Sequence, residues 1–225
     1  MSAATRIALI HATPIAIDPV REAFAADWPE AEVTNLLDDG LSIDRARAAA
    51  LTPALTARIV ELAAYARGAG ASGVLFTCSA FGAAIDAAAQ RLDVPVLKPN
   101  EAMFRQALTY GPNIAMIATF APAVAGMEDE FRELAAELAP AARLTSVIAE
   151  GAIDALRAGG PETHNRLVAE VARSLDGCDA IMLAHFSTSR AAAAVRAVAA
   201  APVLTSPGAA VEMLRALVGR RTASA

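Results

Sequence analysis

Short apolar runs alternate along the chain with longer segments of helical periodicity. Residues 7–10 and 74–76 are apolar throughout, which is typical of strands buried on both faces of a parallel sheet. Residues 52–67 instead place apolar side chains three or four positions apart, which predicts an amphipathic helix. The repeated alternation predicts an α/β fold in which helices cover both faces of parallel sheets.

One constant spacing relates the two halves of the chain. Residues 7–10 correspond at this spacing to residues 114–117, and residues 95–97 correspond to residues 202–204. These matches of Ile, Pro, Val and Leu in one ungapped register indicate a duplicated architecture. We therefore predict two pseudo-symmetric parallel-sheet halves that face each other across an interdomain cleft.

Composition and charge narrow the class of protein. A chain of 225 residues, 56% of them hydrophobic, has enough apolar surface for one large domain or two small ones. A net charge of −5, without a dense cluster of Lys and Arg, argues against partners such as nucleic acid or an anionic membrane surface. The apolar character of the chain also leads us to expect a homo-oligomer.

We predict neither a membrane span nor a signal peptide. The uncharged residues 109–127 contain Pro112, Asn113 and Pro122, which divide them into a strand and a helix start. The first apolar run is short and is interrupted by His11, and no basic leader precedes it. A cytoplasmic location is therefore the default expectation.

The sequence has no motif for a cofactor or a metal. No glycine-rich phosphate loop follows a strand, and no His and carboxylate cluster has the spacing of metal ligands. Cys78 and Cys178 form neither a disulfide framework nor a C-x-x-C motif, so we expect reduced thiols. Cys178 precedes a predicted strand and is interpreted as structural, and His164, at a helix start, is expected at the surface.

Reactive and hydrogen-bonding side chains follow several of the predicted strands. Ligands of parallel sheets bind beyond the carboxyl ends of the strands, so these side chains form the candidate site. They are His11 and Thr13, then Cys78, Ser79 and Ala80, then Thr119, and finally His185, Phe186 and Ser187. The constant spacing between the two halves makes His185 the counterpart of Cys78.

Each candidate has a functional and a structural interpretation. Cys78 lies at a strand-to-helix turn, where free N–H groups and the helix dipole favour a thiolate that acts as base or nucleophile, but a small buried cysteine also packs well there. His185 can exchange a proton near neutral pH, or a nearby carbonyl can satisfy it. Ser79 and Ser187 can hold a carboxylate or a developing oxyanion, or they can cap helices. His11 either reacts or orients its neighbours.

With these motifs the chain resembles the aspartate/glutamate racemase superfamily, which includes hydantoin racemases, maleate isomerases and arylmalonate decarboxylases. The resemblance rests on the duplicated plan and on three stretches, Thr77-Cys78-Ser79, Ile117-Ala118-Thr119 and Leu183-Ala184-His185. It implies a cofactor-independent enzyme with one cysteine from each half. It also implies that the last helix packs on the first half, so that the domains are residues 1–99 with 208–225 and residues 100–207.

The chain departs from the family pattern at two positions. His185 stands where the second cysteine is expected, and Ser79-Ala80 replaces the Asn-Thr that often follows the first. A thiol and an imidazole make the two faces of a substrate unequal. The leading hypothesis is an isomerase or racemase that transfers protons through Cys78 and His185 on a small carboxylate substrate. A decarboxylase or C–C lyase of the same fold and a non-catalytic small-molecule binding protein are the alternatives.

Overall fold

A computed structural model describes residues 5–222 of the chain. Its contacts divide the chain into two compact units. The first unit is formed by Met1–Pro99 and Ala210–Ala225, and the second by Asn100–Ala209.

The described residues form eight strands. These are β1 (Arg6–His11), β2 (Glu32–Leu37), β3 (Gly73–Phe76), β4 (Val96–Leu97), β5 (Asn113–Ala118), β6 (Arg143–Ile148), β7 (Ala180–Leu183) and β8 (Val203–Thr205).

Ten α-helices lie between and after the strands in the same part of the chain. They are α1 (Ile17–Asp27), α2 (Gly40–Arg47), α3 (Pro53–Gly68), α4 (Gly82–Arg91), α5 (Glu101–Ala107), α6 (Val124–Leu138), α7 (Ala152–Arg157), α8 (Pro161–Ala172), α9 (Ala192–Arg196) and α10 (Ser206–Thr222). Short 3-10 turns precede four of them, at Pro14–Ala16, Ser79–Phe81, Ala121–Ala123 and Ser187–Ala191.

The two units have the same sheet topology. The first sheet has the order β2-β1-β3-β4 and the second β6-β5-β7-β8, and every described strand pair is parallel. Ile7 pairs with Gly73 in the first sheet, and Ile114 pairs with Ala180 in the second, so the register repeats at the constant spacing found in the sequence. The predicted duplication and the α/β fold class are confirmed.

Helices cover both faces of each sheet. In the first unit Val74 and Phe76 pack in a core with α3 and α4, whereas Gly73, on the opposite face, lies under Leu214 and Val218 of α10. In the second unit one face packs against α8 and α9 and the other against α5. Because the inner strands are buried on both faces, their sequences are apolar throughout rather than alternating.

The strands predicted at residues 7–10 and 74–76 and the helix predicted at residues 52–67 agree with β1, β3 and α3 to within one residue at each end, whereas the structure differs from the predictions around α2. Helix α2 was not predicted, and residues 38 and 39 lead directly from β2 into it. Asp38 is half-buried and accepts hydrogen bonds from the Arg58 guanidinium, which also donates to Asp44 at 2.9 Å. These ion pairs therefore link Asp38 and helix α2 to helix α3.

None of the described helices is both long and apolar enough to cross a membrane.

The packing around Gly111, which lies just before β5, can be tested by substitution. A Cβ added at Gly111 would overlap the Asp179 carboxylate, which accepts the Asn113 N–H at 2.8 Å. We expect Gly111→Ala to destabilise the protein by about 1–3 kcal/mol, because the carboxylate must move away from the backbone that it caps. Urea unfolding of the variant and the wild type measures the difference.

Gly126→Ala is the matched control for this experiment. Gly126 lies in α6, and a Cβ there meets no atom within 4 Å. We expect this change to be neutral or to stabilise by up to about 1 kcal/mol, since Ala favours helix. Equal effects of the two substitutions would contradict the steric explanation.

Candidate active site

The first unit presents Cys78 two residues beyond the carboxyl end of β3. Its backbone is extended, with φ −125° and ψ 124°, and it occupies the N-cap position of the 3-10 turn Ser79–Phe81 without capping it through its side chain. Cys78 and Ser79 are half-buried, and Ala80 is exposed. The thiol therefore lies at the sheet edge where ligands of parallel sheets bind.

Burial dominates the protonation of this thiol. Burial raises the pKa of Cys78, while a hydrogen bond from the Ala80 backbone and the positive charge of Arg45 lower it by smaller amounts. The turn therefore supplies the N–H group expected there, but desolvation disfavours the charged form more strongly. Burial of Cys78 therefore works against the thiolate that the turn was expected to favour.

Arg45 joins helix α2 to the turn that follows Cys78. Its Nε donates to the Ala80 carbonyl at 3.2 Å, and its Nη1 donates to the Ala48 carbonyl at 2.9 Å. The guanidinium thus holds the turn that carries the thiol and supplies a positive charge that stabilises a thiolate when one forms. Arg45 was not among the predicted site residues, because it belongs to the helix that the sequence patterns did not predict.

His11 and Thr13 lie at the same edge of the first sheet as Cys78. His11 is fully buried, and its ring nitrogens contact Thr77 Oγ1 and Asn35 Oδ1, each at 2.9 Å. Desolvation lowers the pKa of His11, so the imidazole is neutral. Thr13 is half-buried and precedes a 3-10 turn that it does not cap. Of these two residues, Thr13 has the more accessible side chain for a ligand.

The second unit presents His185 at the position equivalent to Cys78, two residues beyond β7. It is the one residue other than glycine with a positive φ, 68°, within residues 5–222. This left-handed conformation costs a residue with a Cβ about 1–2 kcal/mol. Strain of this kind is concentrated at functional sites, so its presence here marks His185 as a residue whose placement the fold maintains.

One ring nitrogen of His185, Nε2, is buried and has no hydrogen-bond partner among the described residues. Burial lowers the pKa of His185 to about 4, because the imidazolium would lose its hydration without gaining a counter-charge. At neutral pH the ring is therefore uncharged.

Hydroxyl groups surround the strand ends of the second unit. Thr119 follows β5 and is buried, and its hydroxyl lies 3.2 Å from that of Thr188. Phe186 and Ser187 are also buried, and Phe186 offers its carbonyl to the Ser189 hydroxyl at 2.6 Å. Because β5 and β7 are parallel neighbours, Thr119 and His185 lie at the same edge of the second sheet.

Two residues outside the candidate site were also assigned from the sequence. The expectation for His164 is wrong, and the expectation for Cys178 is compatible with the structure. His164, predicted at the surface, is fully buried, and its Nδ1 lies 2.9 Å from Asn165 Oδ1. It lies in the first turn of α8, whose inner face packs against the sheet, so the helix start does not determine exposure. Cys178 lies just before β7 and packs against the core of the second unit, as expected of a structural cysteine.

Asn35 was also missed from the sequence. It is the only carboxamide in β2, where its neighbours are apolar or Thr, and its side chain reaches His11 on the adjacent strand. A carboxamide in a strand that pairs with the candidate strand end was the available signal. Across residues 5–222, no group of three or more His, Cys, Asp or Glu side chains could hold a metal ion.

Solved structures of racemases share this fold. An allantoin racemase from Klebsiella pneumoniae superposes with a TM-score of 0.72 at 18% identity, covering 96% of this chain and 89% of its own. A glutamate racemase from Bacillus anthracis gives a TM-score of 0.69 at 13% identity, covering 96% and 82%. An aspartate racemase homologue from Pyrococcus horikoshii gives 0.69 at 14% identity, covering 96% and 99%.

At these identities the structural matches show the fold alone, and no curated protein matches the sequence. The family comparison goes further. The family model described as Asp/Glu/Hydantoin racemase matches residues 18–214. These residues extend from α1 to the middle of α10 and include both Cys78 and His185. The chain therefore belongs to the Asp/Glu/hydantoin racemase family.

Proposed function

We propose that this protein is a cofactor-independent racemase or isomerase that moves a proton at a carbon next to the carboxylate or carbonyl of a small substrate. Cys78 and His185 would act on opposite faces of that carbon. The first unit, as one domain of the enzyme, would supply Cys78, and the second unit would supply His185.

The equivalence of the two residues carries this proposal. Each lies two residues beyond the third strand of its unit and just before a 3-10 turn, and strands β3 and β7 occupy the same place in sheets of identical order. A duplicated fold that presents one proton-transfer group at each equivalent position supplies the pair that a two-sided proton transfer requires.

The protonation states of the pair favour a definite direction for the first step. A neutral His185 accepts the proton that leaves the substrate carbon, and the bonding electrons remain on the substrate as an enolate. A protonated Cys78 then donates its proton to the opposite face, so that one C–H bond breaks and another forms. The resulting imidazolium and thiolate return to the neutral pair by exchanging protons with solvent.

The remaining candidate residues other than His11 would bind the substrate. We assign the hydroxyls of Thr13, Ser79, Thr119 and Ser187 to the carboxylate and the enolate oxygen, together with backbone groups around Ala80 and Phe186. Hydrogen bonds to a developing oxyanion are worth about 3–4 kcal/mol when they are already oriented. These groups at the strand ends need no metal for that stabilisation.

Exchange of hydrogen in D₂O tests the mechanism. Each enantiomer of aspartate, glutamate, allantoin and simple substituted hydantoins is incubated with the protein, and inversion and deuterium at the reacting carbon are followed by polarimetry and NMR. We expect Cys78→Ala and His185→Gln each to reduce inversion by about 10²–10⁴-fold, because each removes one proton-transfer group.

The two variants should differ in the exchange that remains. Cys78→Ala keeps the imidazole and should exchange the hydrogen of one enantiomer without inversion, whereas His185→Gln should lose exchange, because the protonated thiol that remains is not a base. Cys178→Ala, which changes the structural cysteine, is the matched control and should retain wild-type rates. Full turnover by Cys78→Ala on the same substrate would disprove the mechanism.

The pH dependence of kcat/KM distinguishes a buried imidazole from an exposed one. His185 must be neutral to accept a proton, so activity is present above its pKa and is lost as the pH falls through about 4. Cys78 must be protonated, so activity persists to at least the ordinary thiol range, because burial raises the pKa of Cys78. We expect a plateau through pH 6–8, and a lower limb between pH 6 and 7 would contradict the assignment of His185.

Arg45 offers a separate test of how the thiol is controlled. Arg45→Gln removes the positive charge beside Cys78, so the pKa of the thiol should rise further and its alkylation by iodoacetamide at pH 8 should slow about three- to tenfold. Arg45→Lys retains the charge and should have a smaller effect. An unchanged rate of alkylation in Arg45→Gln would mean that the positive charge of Arg45 does not affect the pKa of Cys78.

One observation also favours the decarboxylase alternative, since a protonated Cys78 is equally suited to protonate a carbanion left by loss of carbon dioxide. Incubation with substituted malonates separates the reactions. Release of carbon dioxide that depends on Cys78 and not on His185 would favour the decarboxylase, whereas exchange and inversion without carbon dioxide favour the racemase or isomerase.

A further inference from the structure

His11 is the centre of a side-chain bridge across three strands of the first sheet. The bridge consists of Asn35 on β2, His11 at the end of β1 and Thr77 just beyond β3. The ring nitrogens of His11 lie 2.9 Å from Thr77 Oγ1 and 2.9 Å from Asn35 Oδ1. One buried imidazole thus joins the inner strand to both of its neighbours at the edge that carries Cys78.

We infer that His11 is a positioning residue that holds Thr77, and through it the adjacent Cys78, rather than a ligand of the substrate. His11 is fully buried and Thr77 is 8% exposed, so neither side chain presents a free polar atom. With both ring nitrogens engaged, no atom of the imidazole remains to bind or deprotonate a substrate.

One tautomer of the neutral ring fits these two contacts. Asn35 Oδ1 is an acceptor, so His11 Nε2 carries the hydrogen and donates it. Nδ1 then accepts from the Thr77 hydroxyl, whose second contact, the Ile10 carbonyl, is longer at 3.4 Å. The neutral ring is required for this arrangement, and burial favours it because desolvation lowers the pKa of His11.

The backbone around the bridge explains why the side chains matter at this point. The Thr77 N–H donates to the Ile10 carbonyl at 3.1 Å, which is the last backbone bond between β1 and the segment leading to Cys78. On the other side, the Asp38 N–H donates to the His11 carbonyl at 3.0 Å. Beyond Thr77 the chain leaves the sheet, so the His11 ring supplies the last lateral support before the thiol.

The role assigned to Cys78 rests on the proposed function, but the positioning role can be measured without a substrate. Thr77→Val removes the hydroxyl at constant shape, and His11→Leu removes the ring nitrogens. Without the bridge the segment at 77–78 loosens and the half-buried thiol gains access to solvent. We expect the rate of Cys78 alkylation at pH 7 to rise about fivefold or more in either variant, while turnover falls about 10- to 100-fold.

Three comparisons isolate the bridge from general destabilisation. Cys178 is the internal reference within the same molecule, and its alkylation should remain unchanged. Thr34→Val is the matched control, since the Thr34 hydroxyl also bonds a β1 carbonyl, that of Ile7 at 3.3 Å, but near the opposite end of the strand. Thr77→Ser keeps the hydroxyl and should restore the wild-type rates.

A double variant tests whether His11 acts through Thr77. Adding His11→Leu to Thr77→Val should increase Cys78 alkylation no further, because both changes break the same hydrogen bond. Unchanged Cys78 alkylation in both single variants, or a parallel rise at Cys178, would overturn the inference. Loss of turnover in His11→Leu with unchanged alkylation would also overturn it, since His11 would then act on the substrate.

The same data distinguish failure of this inference from failure of the proposed function. If alkylation responds as expected but the wild type and Cys78→Ala turn over the true substrate equally, the bridge positions a thiol that is not catalytic. The positioning role then stands and the proposed mechanism does not.

Discussion

The hydrogen bonding of each first strand with its third strand, β1 with β3 and β5 with β7, is the constraint on which the rest of the structure depends. Parallel pairing brings the carboxyl ends of these strands to one edge. Each pair is buried on both faces by helices, so a one-residue change of register would expose an entire apolar face. This pairing therefore determines where the loops that carry the candidate side chains begin.

Both units have this strand pairing, but they carry different reactive side chains at the equivalent position. The registers of the two sheets repeat at the spacing that separates Ile7 from Ile114, yet the thiol of the first unit has an imidazole as its counterpart in the second. The backbones differ too: Cys78 is extended, whereas His185 is left-handed. An imidazole attached through a Cβ is longer than a thiol, and a change of backbone conformation re-aims it without disturbing the strand that precedes it.

Much of this could be predicted from the sequence because buried parallel strands leave a strong pattern. The apolar runs at β1, β3, β5 and β7 gave the strands, and matched Ile, Pro, Val and Leu residues gave the repeat. What the pattern missed depends on contacts between distant segments. The short helix α2 has one fully buried residue, Leu41, so its apolar periodicity is weak, and the burial of His164 follows from the packing of α8 and not from its neighbours in sequence.

Protonation was the least predictable property, because it is a balance of opposing effects. The motif around Cys78 correctly indicated an N–H donor at the start of a turn, and sequence alone gives the sign of that contribution to the pKa. It does not give the cost of burial, which exceeds it here. Burial lowers the pKa of His185 instead of raising it, because the charged form of an imidazole is a cation and not an anion. The same physical effect therefore leaves both groups uncharged.

An uncharged pair has a consequence for a substrate that carries a carboxylate. A site with two thiols needs one of them ionised to act as the base, and that thiolate repels the carboxylate. A neutral imidazole is a base without a negative charge, so the proposed pair avoids this repulsion while the substrate binds. Charge develops only after the proton has moved, when an imidazolium on one side is balanced by the enolate and then by the thiolate. On this reasoning, His185 in place of a second cysteine changes the charge of the resting site.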